Sequence, residues 1–228
     1  MKKKLGILLI SLLALVGLSA CKEDSQAEFK NKEKQLKIVA TFYPMYDFTK
    51  NIVGDAGEVS LLIPAGTEPH DYEPSAKDMA KITEADAFVY HNENMETWVP
   101  SAIDSWKKGK PNVIEGTKEM LLLPGGEEEH DHSHEEGHHH ELDPHTWLSP
   151  HQAIKEVTSI KNQLVKLYPE KKAIFEENAK NYLAKLEDLD KNYTDTLKEA
   201  KQKNFVTQHT AFSYLALDYG LNQVGISG

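Results

Sequence analysis

The 228-residue sequence contains only one cysteine, Cys21. A single cysteine excludes an intrachain disulfide, and it leaves the rest of the chain without a thiolate that could bind a metal or act as a nucleophile. The sequence also lacks a Gly-x-Ser-x-Gly motif, a His-Glu-x-x-His motif and a phosphate-binding glycine loop. The catalytic classes that depend on these motifs are therefore disfavoured.

The chain has no excess of basic residues. It carries 26 lysine and arginine residues against 36 acidic residues, so its formal net charge is −10. An acidic protein repels the phosphates of nucleic acid, and its surface attracts cations. The composition therefore argues against nucleic acid as a partner and favours a cation-handling function.

The one long apolar run lies at the amino terminus, over residues 5–18, after lysines at positions 2–4. This arrangement is typical of an export signal, and the run is too short for a stable transmembrane span. The small residues before Cys21 resemble a bacterial lipobox. We therefore predict a lipoprotein signal peptide over residues 1–20 and a lipidated Cys21 at the head of a flexible tether over residues 21–35. An ordinary signal peptide with an incidental cysteine is the alternative.

Strands and helices alternate along the next part of the chain. Short apolar segments are followed by segments in which apolar residues recur every three or four positions. This alternation predicts a parallel sheet covered on both faces, and we assign residues 36–148 to an amino-terminal β/α lobe. Ser75 and Asp78 predict a capping box. The predicted strands are 36–42, 59–63, 87–91 and 113–114, and the predicted helices are 45–53, 75–85 and 98–106.

The region 149–202 is predicted to be helical. A first helix starts at Ser149-Pro150, whose serine is expected to cap it, and ends before Tyr168-Pro169. The second helix, 169–202, has one apolar stripe and a length on the order of 50 Å. That length exceeds the diameter of a small domain, so we interpret the helix as a strut between two lobes, with an ordinary surface helix as the alternative.

Residues 203–228 predict the start of a carboxyl-terminal lobe, with a strand over 205–207, a helix over 209–219 and a strand over 223–226. Two strands do not make a stable sheet, so we expect the chain to be a fragment. The predicted fold class is α/β, with two parallel-sheet β/α lobes joined by a long rigid backbone helix and the second lobe truncated.

An acidic, histidine-rich segment occupies residues 125–142. Between residues 127 and 141 it has no apolar side chain to bury, which predicts a solvated loop. Neutral imidazoles bind borderline divalent metals, and the neighbouring carboxylates attract cations. We interpret the segment as an auxiliary metal-capture loop, with a disordered linker of drifted composition as the alternative. Its histidines are His130, His132, His134, His138, His139 and His140.

Three further histidines lie where parallel sheets bind ligands. His70 follows the second predicted strand, His145 stands in Asp-Pro-His before a helix, and His209 follows the fifth predicted strand. Ligands bind at the carboxyl ends of the strands in open parallel sheets. Prolines beside the first two histidines stiffen the backbone. Because three converging imidazoles suit Zn²⁺, we predict a metal site at these three residues.

Other residues near these positions have other predicted roles. His91 also ends a predicted strand and is the main alternative ligand. His151, in the first turn of a helix, is predicted to be solvated. Tyr72 and Trp147 are predicted to wall the site, with core packing as the alternative.

Three segments together resemble the metal-binding lipoproteins of ABC uptake systems, the cluster A-I solute-binding proteins. These segments are residues 66–75, residues 143–150 and Thr207-Gln208-His209-Thr210-Ala211-Phe212. The histidine-rich loop points to the zinc branch, of the AdcA/ZnuA type, and the resemblance covers residues 36–228. It implies Zn²⁺ held between two lobes and delivered to an ABC transporter permease. It also implies a monomer without enzymatic activity, lipid-anchored at the extracytoplasmic face of the cell membrane.

By this resemblance His70, His145 and His209 match the family's three histidine ligands. The manganese branch typically has a carboxylate at the third position, so His209 favours Zn²⁺ over Mn²⁺. The family's fourth ligand is an acidic residue of the second lobe and is expected beyond Gly228. The chain alone is therefore expected to bind zinc more weakly than the whole protein.

Two other functions stay open at this point. One is a manganese-binding lipoprotein of the same fold with an adhesion role. The other is a secreted zinc-dependent hydrolase, in which three histidines leave an open position for an activated water. A hydrolase needs a general base, and Glu68 or Glu73 could be proposed, but nothing in their spacing singles them out.

Overall fold

The first four strands of the chain form one parallel sheet. The computed structural model describes residues 34–106, 111–125 and 142–226. Strand β3 is buried at every position, because helices cover both faces of the sheet, as a parallel sheet requires. The strands are β1 Leu36–Ala40, β2 Gly57–Leu61, β3 Ala87–Tyr90 and β4 Asn112–Glu115, in the spatial order β2-β1-β3-β4.

The predicted signal peptide, Cys21 and the six loop histidines lie outside the described residues. Within the part of the chain that the structure describes, no helix combines the length and the apolar character needed to cross a membrane.

Helices pack around the first sheet and position the loops that leave it. The capping box predicted at the second helix is confirmed, because Ser75 Oγ accepts from the Asp78 backbone N–H at 3.3 Å while Asp78 Oδ2 accepts from the Ser75 N–H at 3.0 Å. Ser149 is the N-cap residue of the helix that starts at Pro150, as predicted, but its side chain does not cap the helix, since its hydroxyl donates to Asp218 Oδ2 at 2.5 Å. The helices are α1 Tyr43–Val53, α2 Ala76–Thr83, α3 Val99–Ser105 and α4 Pro150–Leu167.

The long helix α5 spans Lys172–Lys198, so the predicted bounds of 169–202 are too wide at both ends. Pro169–Lys171 forms a 3₁₀ turn before it, and at its end the Leu197 carbonyl accepts from the Ala200 N–H at 3.2 Å and from the Lys203 ammonium. Its 27 residues extend about 40 Å. Only the first half of the apolar stripe packs deeply against the first sheet's helices, and Leu189 is exposed.

A second, two-stranded parallel sheet follows the long helix. It contains β5 Asn204–Thr207 and β6 Asn222–Gly225, joined through α6 Ser213–Tyr219. The helix predicted to begin at His209 begins four residues later, which leaves His209 in a loop. The predicted α/β class with parallel sheets is confirmed. The described residues from Gln35 onward form one compact unit, and the predicted boundaries between lobes stay a prediction.

Candidate metal site

Three loops bring His70, His145 and His209 together. His70 lies between β2 and α2, His145 precedes the 3₁₀ turn Thr146–Leu148, and His209 follows β5 by two residues. The His145 Nε2 atom lies 3.1 Å from His70 Nε2 and 3.1 Å from His209 Nε2. The potential ligand atoms of all three lie within 4.8 Å of one another. Residues separated by up to 139 positions in sequence therefore converge on one point.

These distances suit a tetrahedral metal ion. With Zn–N bonds of about 2.0–2.1 Å, two nitrogens on one tetrahedral ion lie about 3.3 Å apart. The separations of 3.1 Å from His145 to each neighbour are close to that value. Within the described ranges, these three histidines are the one group of histidine, cysteine or acidic residues whose geometry could hold a metal ion.

A carboxylate orients the central imidazole. Asp143 Oδ1 lies 2.8 Å from His145 Nδ1 and also accepts from the His145 backbone N–H at 2.9 Å. Because an ionised carboxylate only accepts, Nδ1 carries the proton and Nε2 presents its lone pair to the other two histidines. Burial would raise the pKa of Asp143, but hydrogen bonds from His145 and Ser213 hold it below its ordinary value.

The site is open on one side. His145 is buried, His70 is half-buried and His209 is exposed, so an ion could enter from the His209 side. Burial, and after it the neighbouring His145, lower the pKa of His70. A lower pKa keeps this imidazole neutral, which is the form that binds a metal.

Trp147 packs beside His145, whereas Tyr72 packs against Trp98. The Trp147 ring lies 5.4 Å from the His145 ring and 4.9 Å from the Phe42 ring. Tyr72 packs against Trp98, with ring centroids 6.4 Å apart, so its alternative interpretation as a packing residue fits better.

His91, the alternative ligand, belongs to the protein interior. It is fully buried, and its Nε2 atom donates to the Pro144 carbonyl at 2.5 Å, so that nitrogen is engaged away from the three histidines. The prediction that His91 is a rival ligand is therefore wrong. His151 is half-exposed, as expected of a solvated side chain, and its Nδ1 lies 3.9 Å from Asp190 Oδ2.

The ends of the histidine-rich segment lie beside this site. Pro124 and Leu142 form an antiparallel bridge, and the Asp143 N–H donates to the Leu123 carbonyl at 2.8 Å. The buried Tyr214 hydroxyl joins both ends, because it accepts from the Leu123 N–H and donates to the Asp143 carbonyl, each at 2.8 Å. The fold therefore sets where the segment leaves and returns.

Sequence reasoning missed Asp143, Tyr214 and Glu156 as residues that support the site. Asp143 carried a usable signal, since an acidic residue two positions before a ligand histidine can reach its Nδ1 atom. Tyr214 and Glu156 carried none, because each acts across a distance in sequence that only the fold closes.

The chain is similar to known proteins. The model of the family "Zinc-uptake complex component A periplasmic", ZnuA, matches residues 38–228. The zinc-binding lipoprotein AdcA of Streptococcus pneumoniae strain R6 is 60% identical over 228 residues, which cover 99% of this chain and 44% of that protein. The high-affinity zinc uptake system protein ZnuA of Bacillus subtilis is 50% identical over 229 residues, covering 100% of this chain and 72% of that protein.

A solved structure is also similar to this chain. The crystal structure of the Zn(II)-bound ZnuA-like domain of Streptococcus pneumoniae AdcA superposes with a TM-score of 0.78 at 57% identity, over 86% of this chain and 68% of that one. The chain spans less than half the length of the AdcA protein that it matches.

Proposed function

The chain belongs to the ZnuA family of zinc-uptake complex components, and from this membership we propose that the whole protein binds Zn²⁺ outside the cytoplasm and delivers it to an ABC transporter permease. The observation that carries the proposal is the convergence of the Nε2 atoms of His70, His145 and His209 on one point. The names of its relatives, which concern zinc binding and zinc uptake, support it.

Zinc is the proposed cargo because the site offers three nitrogen ligands. Imidazole suits Zn²⁺, whereas Mn²⁺ prefers oxygen ligands such as carboxylates. Nearby carboxylates do not compete as ligands in this arrangement: Asp143 is bound to His145, and Glu68 Oε1 accepts from the His70 backbone N–H at 3.3 Å. Because Glu68 is bonded to the backbone, its position does not support a role as the general base of a hydrolase. We therefore propose binding and transport without catalysis.

Competition between the two metals tests the assignment against the manganese alternative. Purified protein is loaded with Zn²⁺ or Mn²⁺ and challenged with the other ion, and bound metal is measured by mass spectrometry of the desalted protein. We expect Zn²⁺ to displace Mn²⁺, and Mn²⁺ in large excess to leave bound Zn²⁺ in place. Retention of Mn²⁺ against equimolar Zn²⁺ would overturn the zinc assignment.

We propose that a lipid on Cys21 holds the protein, as a monomer, at the extracytoplasmic face of the cell membrane. The name of the AdcA relative, a lipoprotein, supports this placement. Metabolic labelling with a radioactive fatty acid tests it, since Cys21→Ala should remove the label. A label that persists in that variant would contradict the anchor.

The segment 125–142 is proposed to capture Zn²⁺ loosely and to pass it to the three-histidine site. Deleting residues 127–141 should slow loading at scarce zinc and leave the equilibrium affinity unchanged, because the deletion spares all three ligands and both residues of the Pro124–Leu142 bridge. Stopped-flow mixing with a zinc indicator measures the rate. A deletion that abolished equilibrium binding would refute this division of roles.

A further inference from the structure

A fully buried histidine–glutamate pair lies beneath the His145 loop. His91 directly follows β3 at its carboxyl end, and Glu156 lies on α4; neither side chain is exposed to solvent. His91 Nδ1 faces Glu156 Oε2 at 3.5 Å. Moving a carboxylate or an imidazolium out of water costs several kcal/mol per ion, about the scale of a whole domain's net stability. A pair kept at that cost is a candidate for a role beyond filling the core.

The pair holds both neighbours of His145. On one side, His91 Nε2 lies 2.5 Å from the Pro144 carbonyl oxygen, and because a carbonyl only accepts, Nε2 must carry a proton and donate. On the other side, the Thr146 hydroxyl donates to Glu156 Oε1 and lies 3.3 Å from His91 Nε2. The residues before and after the ligand are therefore fixed to the same two side chains.

The surroundings favour the charged form of His91 and hold its side chain in place. Burial lowers the pKa of His91, but the Glu156 carboxylate and then Glu96 outweigh burial and raise it. Glu96 is itself held by the Thr41 hydroxyl at 2.5 Å and by the His91 backbone N–H at 3.0 Å. These bonds connect the carboxyl ends of β1 and β3 to the His145 loop, so the sheet itself sets the position of the loop.

We propose that His91 and Glu156 are positioning residues, which hold the Pro144–Thr146 turn so that His145 Nε2 meets the other two histidines before the metal arrives. This inference rests on the proposed function. Ligands fixed in advance lose less entropy on binding, and a loosely supported site loses affinity through small displacements. His91 Nε2 and Glu156 Oε1 thus act on the metal only through the turn that carries His145.

The decisive variants change the hydrogen bond and preserve the packing. His91→Phe keeps the aromatic contacts with Phe42 and Trp147, whose rings lie 5.8 and 5.0 Å from His91, and removes the donor to Pro144. His91→Gln keeps an N–H at nearly the place of Nε2. We expect zinc affinity, measured by competition with a chelator, to fall about 10–100-fold in the Phe variant and to be largely restored in the Gln variant.

The visible absorption of Co²⁺ bound in place of Zn²⁺ reports the geometry of the ligands, and a general loss of stability would not change it. We expect the visible d–d absorption of the Co²⁺-loaded His91→Phe protein to change in intensity and position, because the ligand geometry is altered, and to return in His91→Gln. If His91→Phe fails to fold, the pair Thr146→Val and Thr146→Ser decides the question. These two differ in the hydroxyl that reaches Glu156, so affinity should fall in the first and be kept in the second.

Parental affinity and an unchanged cobalt spectrum in folded His91→Phe, or in Thr146→Val, would overturn the inference. Failure of the proposed function looks different: in that case the parent protein binds no zinc, or His145→Ala binds as well as the parent. Loss of binding in His145→Ala together with full binding in His91→Phe rejects the positioning role alone.

Discussion

His145→Ala is expected to weaken Zn²⁺ binding by more than about a hundredfold, beyond the range typical of residues that only support a ligand. His145 is the central member of the trio, since its Nε2 atom lies 3.1 Å from each of the other two. It is also the most buried of the three and the one whose tautomer is fixed by Asp143. Without it, a half-buried and an exposed imidazole remain, and water replaces the missing nitrogen.

His151→Ala is the matched control for that loss. It removes an imidazole six positions further along the chain, on a half-exposed side chain that points to Asp190 and not to the site. Isothermal titration in the presence of a competing chelator measures both variants against the parent protein. Equal zinc affinity in His145→Ala and His151→Ala would show that the three histidines do not form the principal site.

Phe175→Ala is expected to lower the free energy of unfolding by about 3–5 kcal/mol. Phe175 lies in the first half of α5 and is 0% exposed, within the core that also contains Ile160 and Leu164 of α4. Removing its ring leaves a cavity between the long helix and the first sheet's helices, where neighbouring side chains can relax only partly. The helix would lose a fully buried contact with the core.

The adjacent Ile174→Ala serves as the control, since that side chain is 44% exposed on the same helix. It removes apolar volume without opening an internal cavity, so we expect a loss well under that of Phe175→Ala. Urea denaturation followed by circular dichroism measures the free energy of unfolding of both variants. The dependence of that free energy on urea concentration is compared as well, because equal slopes show that the variants undergo the same unfolding transition. A loss below about 1 kcal/mol in Phe175→Ala would mean that α5 is held elsewhere.

The alternation of strands and helices was readable from the sequence because each element carries its own pattern. The run Ala87–Tyr90 is apolar throughout, as a strand covered on both faces must be, and the capping box of Ser75 and Asp78 is local. The three candidate ligands were readable for a similar reason, since each stands in a short motif beside a strand or a helix.

Other features depended on contacts that no local pattern contains. Ser149 has the chemistry of a helix cap, yet its hydroxyl binds Asp218, which lies 69 positions away. His91 stands at a strand end like a ligand, yet its partners are Pro144 and Glu156, which the fold brings beneath it. The helix expected from His209 begins at Ser213, and this candidate ligand is in a loop as a result. In each case tertiary structure selected among roles that the residue type allowed.

The closed base of the segment between Pro124 and Leu142 has a consequence for evolution. Three contacts join the two ends of the segment: the bridge, the Leu123–Asp143 hydrogen bond and the hydrogen bonds of the Tyr214 hydroxyl. Since these contacts stay the same whatever lies between them, the length of the segment affects stability only through the entropy of closing the loop. Doubling the number of residues in a flexible loop raises the free-energy cost of closing it by only about 0.6 kcal/mol. Insertions and deletions there can therefore change the number of histidines between residues 124 and 142 without moving the three candidate ligands, which lie outside the segment.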